Sequence, residues 1–365
     1  MLKDKILLKS KNFKYFIKIN RNFFNNDKKL FSIINNKKVI LIISNKVSFI
    51  YLNKIISLIK PKVKKFFYFC FEDKEVNKSF KTVSKILKFL FINNCNKSTI
   101  ILSIGGGVVG DITGFVSSIY KRGLKYINIP TTLVSQIDSS IGGKNAINYK
   151  YYKNALGTFH QPKYVSVCID FLFSLSKRQF ISGLSEAIKY GIIFNKKFFN
   201  WIELNVKKIL NLDLNTLYYF VYMCCKMKSY IVSLDEKDKN LRLLLNLGHT
   251  YGHAIESYYK YKNVLHGEAV SIGIVMSAYS SYFLKIIDIY EVIRIERLFK
   301  KIGLPTRISK KVSVIKLLKY IKLDKKNFFN FIRLIIPVRI GFSKIINNVP
   351  ERVIKKSIEI CQINF

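Results

Sequence analysis

Residues 99–111 read TIILSIGGGVVGD. The β-prone run TIILSI leads into Gly105, Gly106, Gly107 and Gly110, and a helical stretch is expected to follow them. The stretch satisfies G-x-G-x-x-G, in which glycine lets a backbone approach a pyrophosphate and the next helix offers free N–H groups. The acidic ribose partner expected about 20 residues further on is missing, because Pro130 stands there in IPTTL. Two readings therefore stand side by side here: a phosphate-cradling loop, or a tight turn needed only for strand–helix packing. Asp111 divides the same way, into a helix-start carboxylate or a cofactor contact.

Working outward, VILIIS (39–44), VKKFFYFCF (63–71) and KYINIP (125–130) are short apolar runs of the same kind as TIILSI, suited to buried strands. Between the second and third strands in chain order, residues 79–93 carry Phe80, Val83, Ile86, Leu87 and Leu90 at helical spacing. This alternation predicts an α/β domain with a Rossmann-like parallel sheet and helices on both faces. From about Leu175 longer helical stretches take over: 183–193, 197–210, 214–233, 249–259 and 268–284. The chain's 365 residues exceed what one core usually organises. The expectation is an NAD-binding α/β domain over 1–170 and a mainly α-helical metal- and substrate-binding domain over 171–365.

Hydrophobic residues make up 49% of the chain, ample for a core. Lys and Arg number 63 against 22 Asp and Glu, a net charge of +41. That balance would suit a nucleic-acid binder, but the lysines are spread through every segment (KLFSIINNKKVI, FNKKFF, DKKNFF). Asn, Ile, Phe and Tyr are abundant too, as drift in an AT-rich coding sequence produces. The charge reads as background on solvated faces, with no specific nucleic-acid partner. Cys70, Cys95, Cys168, Cys224, Cys225 and Cys361 form no C-x-x-C pair, which predicts a reduced, cytoplasmic protein. The N-terminus lacks the apolar core of a signal peptide. The longest uncharged run, 269–284, falls short of the ~20 residues a membrane span needs and reads as a buried helix. No membrane partner is expected.

The chain has four histidines, and three of them crowd together: NLGHTYGHAIE (246–256) holds His249 and His253, and His266 follows. On one helix His249, His253 and Glu256 fall at i, i+4 and i+7, on a single face. With Glu268 also close by, the crowding predicts a metal or substrate site rather than core histidines. H-E-x-x-H is absent. Spacing alone makes His249 and His253 the ligand pair.

Seven stretches taken together, GGGVVGDITGF, YKRG, PTTLVSQIDSSIGGKNAIN, KNALGTFHQP, SGLSEAIKYGII, LRLLLNLGHTYGHAIE and LHGEAVSIG, resemble the 3-dehydroquinate synthase family of sugar-phosphate cyclases. They run in order from Gly105 to Gly273, with weaker matches as far as DKK at Asp324. The resemblance implies Zn2+ or Co2+ held by Glu186, His249 and His266, an open three-ligand site of the catalytic kind. His253 is then an acid/base group beside the substrate phosphate, and the spacing-based pair gives way. It also implies NAD+ over Gly105, Gly106, Gly107 and Val108, touching Asp111, Thr131, Thr132, Lys144, Lys153, Phe171 and Ser174. Glu75 and Lys78 would meet the adenosine ribose.

By the same resemblance the substrate is 3-deoxy-D-arabino-heptulosonate 7-phosphate, a phosphorylated keto acid with two anionic groups. Its matching positions are Asp138, Lys144, Asn154, Lys189, Lys228, Arg242, Asn246 and one of Lys325 or Lys326. Taken singly, each of these lysines reads as a solvated surface residue. Arg122 would reach the neighbouring subunit of a homodimer. The implied reaction belongs to the shikimate pathway of aromatic amino-acid biosynthesis: transient oxidation by NAD+, phosphate elimination, re-reduction and aldol closure to 3-dehydroquinate. This is a carbon–oxygen lyase step with no net redox.

The chain departs from the family pattern in two places. Asp238, among the implied catalytic residues, stands where the family has Glu, with DKN in place of E-x-G, and Arg178-Gln179 replaces Arg-Glu. Reduced but real activity is expected. A sister cyclase acting on a substrate without the carboxylate is the nearest rival, and DSSIGGK with GHTYGHAIE favours dehydroquinate synthase over it. An iron-type polyol dehydrogenase needs no clamp for two anions, so Lys144, Asn154, Lys228 and Arg242 count against it. A nucleic-acid module with structural zinc calls for closed cysteine ligation and clustered charge, and the sequence has neither.

Overall fold

Alternate residues of a strand point to opposite faces, so a run such as VILIIS must be covered on both sides. A computed structural model, describing residues 4–23, 27–150, 152–260, 262–323 and 332–363, shows how. The chain divides into two compact units, Met1–Leu175 with Leu217–Lys237, and Ser176–Thr216 with Asp238–Phe365. In chain order the first holds β1 (Lys5–Lys9), β2 (Lys14–Asn20), α1 (Lys28–Ile34), β3 (Lys38–Ser44), α2 (Asn45–Ile59) and β4 (Lys65–Phe71). Then come α3 (Phe80–Ile92), β5 (Ile100–Gly105), α4 (Gly107–Ile119), β6 (Lys125–Pro130), β7 (Lys144–Tyr149), β8 (Tyr152–Phe159) and β9 (Tyr164–Cys168).

Seven strands form one sheet in the order β1-β2-β9-β6-β5-β3-β4, parallel throughout except for the antiparallel β1–β2 pair. Val39, Leu41, Ile43, Leu102 and Ile104 pack on one face with Leu30 and Ile34 of α1 and Ile55 and Ile59 of α2. Ile40, Ile42 and Ile101 pack on the other with Val83 and Ile86 of α3 and Ile112 and Val116 of α4. Each such burial contributes ~1.5–3 kcal/mol, and the period of two sorts the strand residues between the layers. The strands expected at 39–44, 63–71, 99–104 and 125–130 are β3 to β6. In this sheet the sequence reading missed β1, β2 and β9, and outside it the β7–β8 pair.

The crossover from β3 leads outward to β4, whereas β5 returns to the other side of β3 and β6 continues in that direction. Strand order therefore reverses between β3 and β5, and ligands bind open parallel sheets in the crevice beyond such a reversal. Gly105 is the last residue of β5, paired with Pro130 at the end of β6. The β7–β8 hairpin is antiparallel and stands outside the main sheet.

The second unit is mainly helical. It contains α5 (Lys177–Phe194) and α6 (Lys196–Leu210); α7 (Leu214–Leu234) follows, with its residues from Leu217 onward in the first unit. Next come α8 (His249–Tyr258), α9 (His266–Phe283), α10 (Ile289–Ile302) and α11 (Val314–Lys322). Strands β10 (Ile308–Ser309), β11 (Leu334–Arg339), β12 (Phe342–Ile346) and β13 (Gln362–Ile363), with α12 (Glu351–Ile360), complete it. Most of the uncharged run 269–284 is a buried helix: α9 is buried from Ala269 to Ser281, its small residues interleaved with Val270, Ile274, Val275 and Met276, and Tyr282 at its end is exposed. Among the described residues no helix is long and apolar enough to cross a membrane. All six cysteines are free thiols, five of them buried. Lys325 and Lys326 lie outside the described residues.

Candidate active site

In the second unit three helices each deliver one side chain to a common point. Glu186 comes from the buried middle of α5, and His249 and His266 are the first residues of α8 and α9. Two glycines on α9 set the spacing. A Cβ on Gly267 would stand 1.8 Å from the Ser182 carbonyl oxygen, and one on Gly273 would stand 2.1 Å from that of Gly248. Only bare backbone fits, so α9 lies directly against α5 and the start of α8.

Glu186 Oε1 lies 3.5 Å from Nε2 of His249 and 3.5 Å from Nε2 of His266. One ligand atom from each of the three falls within 4.8 Å of the others. Two ligands of a tetrahedral metal with bonds of ~2.1 Å stand roughly 3.4 Å apart, so a carboxylate and two imidazoles at this spacing fit Zn2+ or Co2+. Each imidazole is aimed through its other nitrogen. His249 Nδ1 is 3.2 Å from the Leu247 carbonyl, which only accepts, so Nδ1 carries the proton and Nε2 presents its lone pair. His266 Nδ1 is 3.2 Å from Glu256 Oε1, the carboxylate–histidine pairing that orients metal ligands. Burial disfavours the His266 cation, but Glu186 and Glu256 outweigh it and push the imidazole up to about 9.

His253 stands beside the group, its ring centroid 5.4 Å from that of His249 and 6.3 Å from that of His266. Lys189, one turn beyond Glu186 and 1% exposed, forms an ion pair with it. Arg242 is buried, and Asn246 Nδ2 donates to the Leu243 carbonyl at 3.0 Å. Asp238 sits at φ 59°, a left-handed conformation that short Asp adopts more readily than Glu. Sequence reasoning missed two contributions here. Glu256 registered only as a third residue on the histidine face, because its target His266 starts a different helix. Arg178 makes a two-pronged contact with Glu268, 2.7 and 2.8 Å, and Glu268 also accepts the Leu265 N–H, fixing the start of α9. The neighbouring Gln179 donates its N–H to Ser176 Oγ at the start of α5.

The first unit gathers a second set. Helix α4 begins at Gly107 with Gly106 as its N-cap and no side-chain cap, so its first amides remain available to an anion. A Cβ on Gly106 would press on Thr132 Cγ2 at 3.1 Å. Buried Thr131 follows β6, and Thr132 N–H donates to Ser135 Oγ at 3.0 Å. This glycine cradle at the strand reversal fits a dinucleotide.

Buried Lys78 lies 2.5 Å from Asp111 Oδ2 and donates to Asn154 Oδ1 at 2.5 Å. Burial raises the Asp111 carboxyl above its ordinary range, and Lys78 offsets only part of that. Glu75 accepts from Asn148 Nδ2 at 2.8 Å, and Asn148 Oδ1 accepts the Asn154 N–H at 2.9 Å. Glu75, Lys78, Asp111 and Asn154 thus form one network, with Asn148 as a link the sequence reading missed. Lys228, 6% exposed, pairs with Asp138 at 2.6 Å. Lys144 opens β7 exposed, and half-buried Lys153 lies near the start of β8. Val108 is half-buried on α4. Phe171 is buried against Phe23 and Tyr51, and Ser174 Oγ donates to its carbonyl at 3.0 Å. Arg122 is exposed on the turn between α4 and β6.

Comparison with known proteins agrees in both halves of the chain. The family model described as 3-dehydroquinate synthase N-terminal matches residues 68–182, and the one described as 3-dehydroquinate synthase C-terminal matches residues 183–327. A 3-dehydroquinate synthase of Buchnera aphidicola subsp. Baizongia pistaciae (strain Bp) is 43% identical over 311 residues, 85% of this chain and 86% of that protein. The solved structure of 2-epi-5-epi-valiolone synthase from Streptomyces hygroscopicus subsp. jinggangensis 5008, with NAD+ and Zn2+ bound, superposes with a TM-score of 0.89. It is 22% identical and covers 97% of this chain and 98% of its own. That of 2-deoxy-scyllo-inosose synthase, complexed with carbaglucose-6-phosphate, NAD+ and Co2+, gives a TM-score of 0.90 at 21% identity, covering 98% and 100%. The two structures share the fold, a Rossmann-like sheet followed by a mainly helical part. With consecutive family models spanning 68–327 and 43% identity over most of both proteins, the chain belongs to the 3-dehydroquinate synthase family.

Proposed function

We propose that this enzyme converts 3-deoxy-D-arabino-heptulosonate 7-phosphate to 3-dehydroquinate and phosphate, acting as a carbon–oxygen lyase in aromatic amino-acid biosynthesis. The observation that carries the reading is the convergence of Glu186, His249 and His266 in a chain 43% identical to a 3-dehydroquinate synthase. When bound, NAD+ supplies a hydride acceptor that is regenerated in each turnover, and Zn2+ or Co2+ supplies a Lewis acid at the transient ketone.

Glu186, His249 and His266 would hold the metal. Gly105, Gly106, Gly107 and Val108 would cradle the pyrophosphate, and Asp111, Thr131, Thr132, Lys144, Lys153, Phe171 and Ser174 would contact the rest of NAD+. Glu75 and Lys78 would meet the ribose. His253, one turn from His249, moves protons as phosphate leaves and the neighbouring C–H loses its proton. Lys144, Asn154, Lys189, Lys228, Arg242 and Asn246 bind and orient the two anionic groups of the substrate. Asp138 holds the Lys228 ammonium in place, and Asp238 serves in the position of the family's glutamate. The protein works as a homodimer in which Arg122 reaches the neighbouring subunit's substrate. Six free thiols support a cytoplasmic location.

The test is a product balance. Equal amounts of phosphate and 3-dehydroquinate, with no build-up of NADH, are expected. Phosphate without the carbocycle, or NADH formed in step with substrate loss, would overturn the reading.

A further inference from the structure

The fourth histidine takes no part in the chemistry above. His160 closes the KNALGTFHQP stretch in the first unit, and its ring lies half-buried, stacked on Tyr126 with centroids 5.5 Å apart and planes 17° from parallel. Its Nε2 is 2.9 Å from the Leu124 carbonyl. A carbonyl only accepts, so Nε2–H donates. The backbone of His160 is tied as firmly: its N–H donates to Gly143 O at 2.9 Å. Its carbonyl accepts from Tyr126 Oη and Asn145 Nδ2, each at 2.9 Å.

Leu124 follows a strained turn. Lys121, Arg122 and Gly123 have φ of 47°, 64° and 122°, so two adjacent non-glycine residues are left-handed. Such residues persist only where the surroundings over-determine them. Here the Gly123 N–H donates to Tyr120 O, the Leu124 N–H donates to Ser117 O at 2.7 Å, and His160 grips the Leu124 carbonyl from the other side. No hydrogen bond or ion pair to the exposed Arg122 side chain is found among the described residues, so what the fold fixes is the point at which that side chain leaves the turn.

We propose that His160 is the positioning residue for Arg122: its Nε2–H, holding the Leu124 carbonyl, locks the strained turn that aims the guanidinium. The proposal rests on the reading that Arg122 reaches a neighbouring subunit's substrate. It deepens that reading by naming what aims the arginine.

The experiment uses the enzyme loaded with NAD+ and metal. His160→Phe keeps the stacked ring and removes the donor, whereas His160→Gln keeps an N–H at similar reach. His160→Phe should raise KM about tenfold with kcat nearly unchanged, as loss of one oriented substrate contact does, and His160→Gln should restore most of it. On an Arg122→Ala background His160→Phe should add no further cost. Should His160→Phe fail to fold, His160→Asn, whose amide falls short of Leu124, takes its place with the same expectation. A lower kcat at unchanged KM, marking only a smaller folded fraction, would overturn the proposal. So would a full cost surviving in Arg122→Ala, or wild-type kinetics for His160→Phe where Arg122→Ala is impaired. Wild-type kinetics for Arg122→Ala itself would overturn the underlying reading and the proposal with it.

Discussion

Glu256 Oε1 lies 3.2 Å from His266 Nδ1, and that contact turns the opposite nitrogen of His266 toward Glu186. A carboxylate behind a ligating imidazole fixes the ring and raises its basicity, and losing such a partner typically lowers metal affinity 10–100-fold. Glu256→Gln should therefore weaken Zn2+ binding by a factor in about that range while leaving the fold intact. Competition against a chromophoric chelator checks this, and unchanged affinity would mean Glu256 is a packing residue.

The pH dependence follows from the same imidazole. His266 is pushed up to about 9 from its ordinary 6.5, so the metal-free protein carries it protonated at neutral pH. Metal must displace that proton, and affinity should climb about tenfold per pH unit between roughly 7 and 9, then level off. A pKa raised by folding gives stability that is fully present below about 6.5 and lost as pH rises through about 9. Metal-free protein should thus lose this contribution over the window in which metal affinity grows. Paired metal titrations and melting curves at several pH values test both trends; metal affinity flat across that window would contradict the proton assignment.

Close helix packing holds the ligands together. A methyl on Gly273 would meet the Gly248 carbonyl and the Gly252 nitrogen, backbone atoms that cannot rotate away. Gly273→Ala should cost at least about 1–3 kcal/mol of stability and release metal by moving α9 off α8. Denaturant unfolding with metal analysis measures both effects.

How much of this was legible in the sequence depends on what each residue answers to. β3, β5 and β6 are buried on both faces, so their apolar runs stood out even in a very basic chain. β1 and β2 carry lysines on their exposed faces, KILLK and KYFIKIN, and merged with the background charge. The strand–glycine–helix unit was visible because it is local. The metal group was not visible from spacing, which pairs His249 with His253; Glu186 and His266 come from other helices, and only the family resemblance brought them in. The network of Lys78, Asp111 and Asn154 is likewise tertiary, with no local pattern to announce it.

That network carries its own prediction. Lys78→Met leaves the Asp111 carboxyl buried without its ammonium partner, which favours the protonated acid. If Asp111 and Lys78 serve NAD+, its Kd should rise about tenfold or more, the scale of losing one charge-assisted contact. Titration calorimetry with NAD+ reads this directly, and an unchanged Kd would remove both residues from the nucleotide site.

The most direct measurement is phosphate release from 3-deoxy-D-arabino-heptulosonate 7-phosphate by protein stripped of metal and NAD+, with each restored separately. Release that requires both, leaves no lasting NADH, and disappears together with bound zinc in Glu186→Gln is the predicted result. Release by stripped protein without added metal, or steady accumulation of NADH, would contradict the account.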